Sequence, residues 1–190
     1  LGKTVTAGVI LLVVIVGLVG SVSGMWIKGD YAWWSFAFRW LHVLSGVMWI
    51  GLLWYFNFVQ IPSMPKIPDE QKPAIGKVIA PTALFWFRWA ALSTVVTGLI
   101  LAGMSGYFAQ AFALARPFTA IGIGMWLGLV MAYNVWFIIW PNQKKALGIV
   151  AVEADAKAKA ARLAMLTSRF NTMLSIPMLY CMVAQQNGGL

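Results

Sequence analysis

The chain contains one histidine, His42, and it lies inside an apolar stretch. In a membrane helix that begins near Phe36, His42 would sit roughly 9 Å deep at a rise of about 1.5 Å per residue. An ionisable side chain at that depth is a functional hypothesis by default. On a helix, Arg39 falls one turn nearer the outer end, and Ser45, Gly46 and Trp49 continue the face. This pattern suits a haem: the imidazole can ligate iron, Gly46 leaves room for a flat ligand against the backbone, and Arg39 can pair with a propionate. One histidine cannot fill both axial positions, so a haem b here is five-coordinate or takes a methionine, and Met125, Met178 and Met182 fall at about the same depth. A structural reading stands beside this one. His42 can hydrogen-bond across a helix interface, Arg39 can snorkel to the headgroups, and the ten methionines can serve as packing. The single Cys181 excludes an internal disulfide and the Cys-x-x-Cys-His attachment of a covalent c-type haem.

A second set of polar residues falls at the opposite depth: Asn57, Gln60, Arg88, Asn134 and Asn171. Amides and a guanidinium in hydrocarbon need partners. Their recurrence in four spans predicts a shared network, with Asn134 and Asn171 holding Arg88. Such a network serves either as an interhelical lock or as a path for a polar substrate or a proton. All five acidic residues lie outside the apolar runs, which leaves no buried carboxylate for proton pumping.

The elements that must position these residues are membrane helices. Of the 190 residues 61% are hydrophobic and 10% charged, whereas a soluble domain is about half apolar and a quarter charged. The expected fold is an all-α integral membrane protein. It is a single membrane domain over residues 1–190, a bundle of about five transmembrane helices at 5–25, 36–60, 81–104, 118–140 and 170–186. The first run is too long for a signal-peptide core and reads as an anchor. Pro62, Pro65, Pro68 and Pro73 predict a loop after the second span, and the fourth span is expected to stop at Pro141. The charged, Ala-rich segment 142–169 predicts a cytoplasmic interfacial helix before the last span. Gly20-x-x-x-Gly24 and Gly124-x-x-x-Gly128 permit close helix approach.

The net charge of +9 is explained by this topology without nucleic acid. Five spans put Lys3, Lys66, Lys72, Lys77, Lys144, Lys145, Lys157, Lys159, Arg162 and Arg169 on one side, and Lys28, Arg39 and Arg116 on the other. A bias of ten to three places the amino terminus in the cytoplasm. The implied location is a bacterial inner membrane, and the implied partners are membrane lipid and other membrane subunits or a soluble cytochrome c.

Four motifs then bring a family into view. Arg39-Trp40-Leu41-His42-Val43 with Trp49-Ile50-Gly51 and Tyr55-Phe56, then Trp86-Phe87-Arg88-Trp89, then Asn134 through Pro141-Asn142-Gln143-Lys144-Lys145, and finally Asn171 to Met182 with Pro177 follow in order. Over roughly residues 36–184 the chain resembles the membrane domain at the amino-terminal end of the cytochrome c-type urate oxidases, also called urate hydroxylases, as a short divergent form. Long members carry a cytochrome c domain absent from this sequence. Positions where acidic or histidine residues are expected read Gln60, Phe85, Ala90 and Phe170. The resemblance implies a membrane-bound oxidoreductase of urate-oxidase type, a haem-binding electron-transfer component working with a separate cytochrome. The alternative is a non-catalytic accessory or assembly subunit of a larger membrane complex.

Overall fold

The computed structural model describes residues 2–24 and 26–189, and every regular element among them is helical. The helices are α1 (Gly2–Ser23), α2 (Tyr31–Lys66), α3 (Lys72–Met104), the short α4 (Phe108–Phe112), α5 (Thr119–Ala146) and α6 (Ala154–Asn187). Four of them, α1, α2, α3 and α5, are long and apolar enough to cross a membrane. Met25, expected at the end of the first span, lies outside the described residues.

By internal contacts the chain divides into two compact units, Leu1–Ala37 and Phe38–Leu190. In the first, nearly every α1 side chain is exposed, and the buried position is Gly20. The Trp26 indole occupies the space a side chain would take there, since a Cβ on Gly20 would meet its ring at 2.9 Å. Gly24 lies beyond the helix with φ +69°. The Gly20/Gly24 pair therefore offers one close approach instead of a helical stripe.

The second unit holds the core. Trp49, Leu53 and Phe56 of α2 meet Leu84, Phe87 and Ala91 of α3, Met131, Val135 and Ile139 of α5, and Met178 of α6. Each set recurs at three- or four-residue intervals, one stripe per helix. On α6 the buried positions Ala160, Ala164, Ser168, Asn171, Ser175, Met178 and Cys181 form one unbroken line of mostly small residues. Small side chains let backbones approach closely, and in a membrane that van der Waals contact replaces water exclusion as the source of association. Gly124 of α5 serves the same contact, with a Cβ position 3.2 Å from Cys181 Cβ.

Prolines expected to end helices do not all end them. The second span continues through Pro62 and Pro65 to Lys66, and the fourth continues through Pro141 to Ala146. Each of the three π-helical segments, Tyr55–Gln60, Ile75–Ile79 and Asn134–Ile139, stops two residues before a proline, at Pro62, Pro81 and Pro141. Proline lacks an N–H and its ring clashes with the carbonyl four residues back. One widened turn moves that carbonyl aside, so the helix goes on. The true break is 67–71, where Ile67 turns extended at ψ 129°.

The expected interfacial helix and last span are not separate. Residues 154–187 form a single 34-residue helix, with Pro177 inside it. The Ala-rich stretch has high helix propensity, and no breaker separates it from the apolar half. At about 1.5 Å per residue α6 is roughly 51 Å long, against about 30 Å of hydrocarbon. It is long enough to cross a membrane but is not among the helices apolar enough by composition to do so.

Candidate functional site

His42 is fixed by a contact between α2 and α3. Its Nδ1 lies 2.9 Å from the Thr94 carbonyl oxygen and 3.4 Å from Thr97 Oγ1. A carbonyl can only accept, so Nδ1 carries the proton in this bond, and in the neutral ring Nε2 keeps its lone pair. One turn further along, Ser45 Oγ meets Ser93 Oγ at 2.9 Å. Thr94 and Thr97 return their own hydroxyls to the backbone, at Ala90 O and Ser93 O. This leaves the Thr94 carbonyl as the acceptor that orients the imidazole.

Gly98 makes the approach possible. A Cβ there would stand 2.8 Å from His42 Cε1 and 3.0 Å from Nδ1, so any side chain at this position would displace the ring. Gly46, singled out from the sequence, is less confined, its Cβ position meeting only Thr94 Cγ2 at 3.9 Å.

Beside the imidazole is a cavity of about 600 Å³, within the range of about 300–1,000 Å³ usual for cofactor and ligand sites. Arg39, His42, Gly46, Met125, Met178 and Met182, read separately from the sequence, all line it. Further polar groups join them, Tyr107, Trp49 and Gln186 among them. Tyr107 stacks on Phe118 at 5.2 Å. Its phenol is pushed up from its ordinary value by burial, an effect partly offset by the Arg39 charge and a hydrogen bond with Ser105. Trp49, 1% exposed, lines the cavity, and its indole Nε1 is buried without a partner. Gln186 reaches the lining from the end of α6. Gln185 beside it clamps the preceding turn, donating to Pro117 O and accepting from Ile121 N.

Arg39, His42, Gly46 and Trp49 were legible because they share one face of one helix. Gly98 and Tyr107 were missed. The available signal for Gly98 was Thr94 and Gly98 at i, i+4, a small-residue notch on the neighbouring apolar helix.

The polar set at the other end assembles differently from the expected network. Asn134 Nδ2 donates to Asn171 Oδ1 at 2.8 Å, and Asn171 Nδ2 donates to Met131 O at 2.9 Å. Asn57 Nδ2 bridges Leu53 O and Ser168 Oγ, tying α2 to α6. Arg88 is on none of these. Its guanidinium carbon lies 3.4 Å over the Trp140 ring, and its Nη1 is buried without a hydrogen-bond partner. The physical reason is reach: two short amides complete each other and an adjacent carbonyl, whereas the long Arg88 chain extends to the indole near the end of α5.

With that geometry in place, comparison with known proteins adds a match of residues 102–188 to the family model described as urate oxidase N-terminal. Over that stretch, a little under half of its length, the chain is similar to the amino-terminal region of the urate oxidases. No curated protein and no solved structure matches the chain. The matched stretch contains α4, α5 and α6, and with them Tyr107, Met125, Asn134, Trp140, Asn171, Met178 and Met182. Arg39, His42, Gly46, Asn57 and Arg88 lie outside it. The cavity is thus lined jointly by the urate oxidase-like helices and by α2 and α3.

Proposed function

We propose that this chain is a membrane-embedded redox subunit of urate-oxidase type, with the cavity beside His42 as its cofactor site. The observation that carries the reading is the tethered imidazole: Nδ1 held by the Thr94 carbonyl at 2.9 Å, with Nε2 free to act as a ligand beside a cavity of about 600 Å³. Metal-ligating histidines are commonly oriented by such a bond to a backbone carbonyl. The residues fit a haem b. His42 would supply the nitrogen ligand, Arg39 with Tyr107 and Gln186 would meet its carboxylates, and Met125, Met178 or Met182 would offer a thioether. Val43, Val47, Ile50, Leu99 and Leu101 supply apolar wall. A haem bound there would supply one-electron transfer.

The electrons would pass to a separate cytochrome c, in keeping with the family relation. In this reading α6 supplies a fifth crossing over 170–186, supported by its length and its close packing on α5. The Lys66 turn and the amino terminus face the cytoplasm of a bacterial cell, supported by the ten-to-three distribution of basic residues.

The test is the absorption spectrum of the purified protein. A Soret band that His42→Ala removes while the protein still inserts is the expected result, and Arg39→Gln should weaken retention without removing the iron ligand. Absence of a chromophore after haem supplementation, together with full activity of a partner complex carrying His42→Ala, would overturn the reading in favour of an accessory subunit.

A further inference from the structure

The seam between α3 and α5 carries a feature that the cavity does not use. Arg88 and Lys144 converge on one indole, with the guanidinium carbon 3.4 Å and the ammonium nitrogen 5.7 Å from the Trp140 centroid. Two like charges gathered on one ring repel, and neither has a carboxylate partner. Among the described residues the ion pair present is Lys72 with Asp69, and every other acid lies in a turn or at the start of a helix. The indole face covers the guanidinium from above but accepts nothing in its plane, and Arg88 Nη1 is left without an acceptor.

Along the same seam runs an apolar groove of about 390 Å³, bounded by Leu92, Val95, Leu129, Tyr133, Trp136 and Phe137. It begins one helical turn from Arg88, at Leu92 on α3, and one turn from Trp140, at Trp136 on α5. Trp136 packs edge-on against Trp89 at 5.5 Å, between the charges and the groove. Its Nε1 is buried without an acceptor. Gln143, on the next turn after Trp140, has a buried Oε1 without a donor.

The order of these groups along the helices matches one kind of molecule. We propose that the α3–α5 seam is a binding site for an anionic phospholipid. Arg88 and Lys144 take the phosphate, Gln143 accepts from a hydroxyl of the head group, Trp136 Nε1 donates to a glycerol ester carbonyl, and one acyl chain lies in the groove. Phosphate with two cations gives charge complementarity. A soluble anion would leave the groove and the Trp136 donor unused. The groove shares Val95 and Leu129 with the wall of the His42 cavity, while Arg88, Trp140 and Lys144 lie outside that cavity's lining.

Native mass spectrometry of the intact chain in neutral detergent tests this, with phosphatidylglycerol or phosphatidylcholine of equal acyl length as the added lipid. Phosphatidylglycerol is expected to be retained at least about tenfold better, given the share of binding that each basic residue contributes. Joint Arg88→Gln and Lys144→Gln should abolish that preference, while Leu92→Trp, which fills the groove and spares both cations, should lower retention of both lipids. Glycerol phosphate, which has the charge without the chains, should fail to displace the lipid. Equal retention of the two lipids by the unaltered protein, an unchanged preference in the double variant, or full displacement by glycerol phosphate overturns the proposal. Should Arg88→Gln prevent folding, Lys144→Gln and Leu92→Trp carry the same comparison.

Discussion

His42 and Thr94 are joined across two helices by a bond from a side-chain N–H to a main-chain carbonyl, Nδ1 to O at 2.9 Å. No side-chain change at Thr94 removes that acceptor directly, but Gly98 does the equivalent, because a methyl there would stand 2.8 Å from the imidazole. Gly98→Ala should destabilise the protein by about 1–3 kcal/mol through overpacking and should weaken any chromophore bound by His42. Thermal unfolding in detergent, read beside the absorption spectrum, checks both. Unchanged unfolding and an unchanged spectrum would show that the ring has room to move.

Asn171 is fully buried and completes two bonds, to Asn134 and to Met131 O. Asn171→Ala removes both and strands the Asn134 amide. The expected loss is about 1–3 kcal/mol, the usual cost of a buried polar group left unmade. A cycle with Asn134→Ala should show strong coupling, the double variant losing less than the sum of the singles. Strict additivity would mean that the two amides do not meet.

Trp49→Phe separates packing from ligand binding. The indole Nε1 has no protein partner, so its removal should change the stability of the ligand-free protein by no more than about 0.5 kcal/mol beyond the small loss of ring volume. A ligand that accepts from Nε1 should bind more weakly, in a titration of the supplemented protein. Large destabilisation without ligand would point to a packing role alone.

Asp69 sits in the turn between α2 and α3, where a hydrogen bond from Lys72 Nζ at 2.6 Å, aided by its charge, holds the carboxyl below its ordinary value of 3.8. A depressed carboxyl adds stability that is present above the unfolded value and is lost as pH falls through the folded one. Acidification from about pH 6 to about pH 3 should therefore loosen this turn slightly, the pair being exposed and screened. Hydrogen exchange at the Gln71 and Lys72 amides should report it, and Asp69→Asn should remove the pH dependence.

The sequence alone determined the all-helical class of the chain and the approximate positions of the four helices long and apolar enough to cross a membrane. Runs of apolar residues without charges have one stable arrangement in a membrane, with every backbone group bonded within its own segment. It also determined one face of α2, because Arg39, His42, Gly46 and Trp49 recur at helical spacing and stay aligned whatever surrounds them. The helix ends were less legible. Pro62 and Pro141 read as breakers and Pro81 as the start of a span, yet a widened turn before each absorbs the clash, and whether it forms depends on how neighbouring helices hold the chain. The junction before Asn171 was hidden for a related reason: an Ala-rich polar segment and an apolar segment look like two objects, while the backbone of α6 continues through both. Only the tertiary structure decided which partners meet. It put the His42 imidazole against Gly98 and the Thr94 carbonyl, 52 residues away in sequence, and it paired Asn134 with Asn171 while sending Arg88 to Trp140. Depth in a span can be counted from a sequence, but the rotation of one helix against the next is set by the packing of small and large side chains along their shared faces.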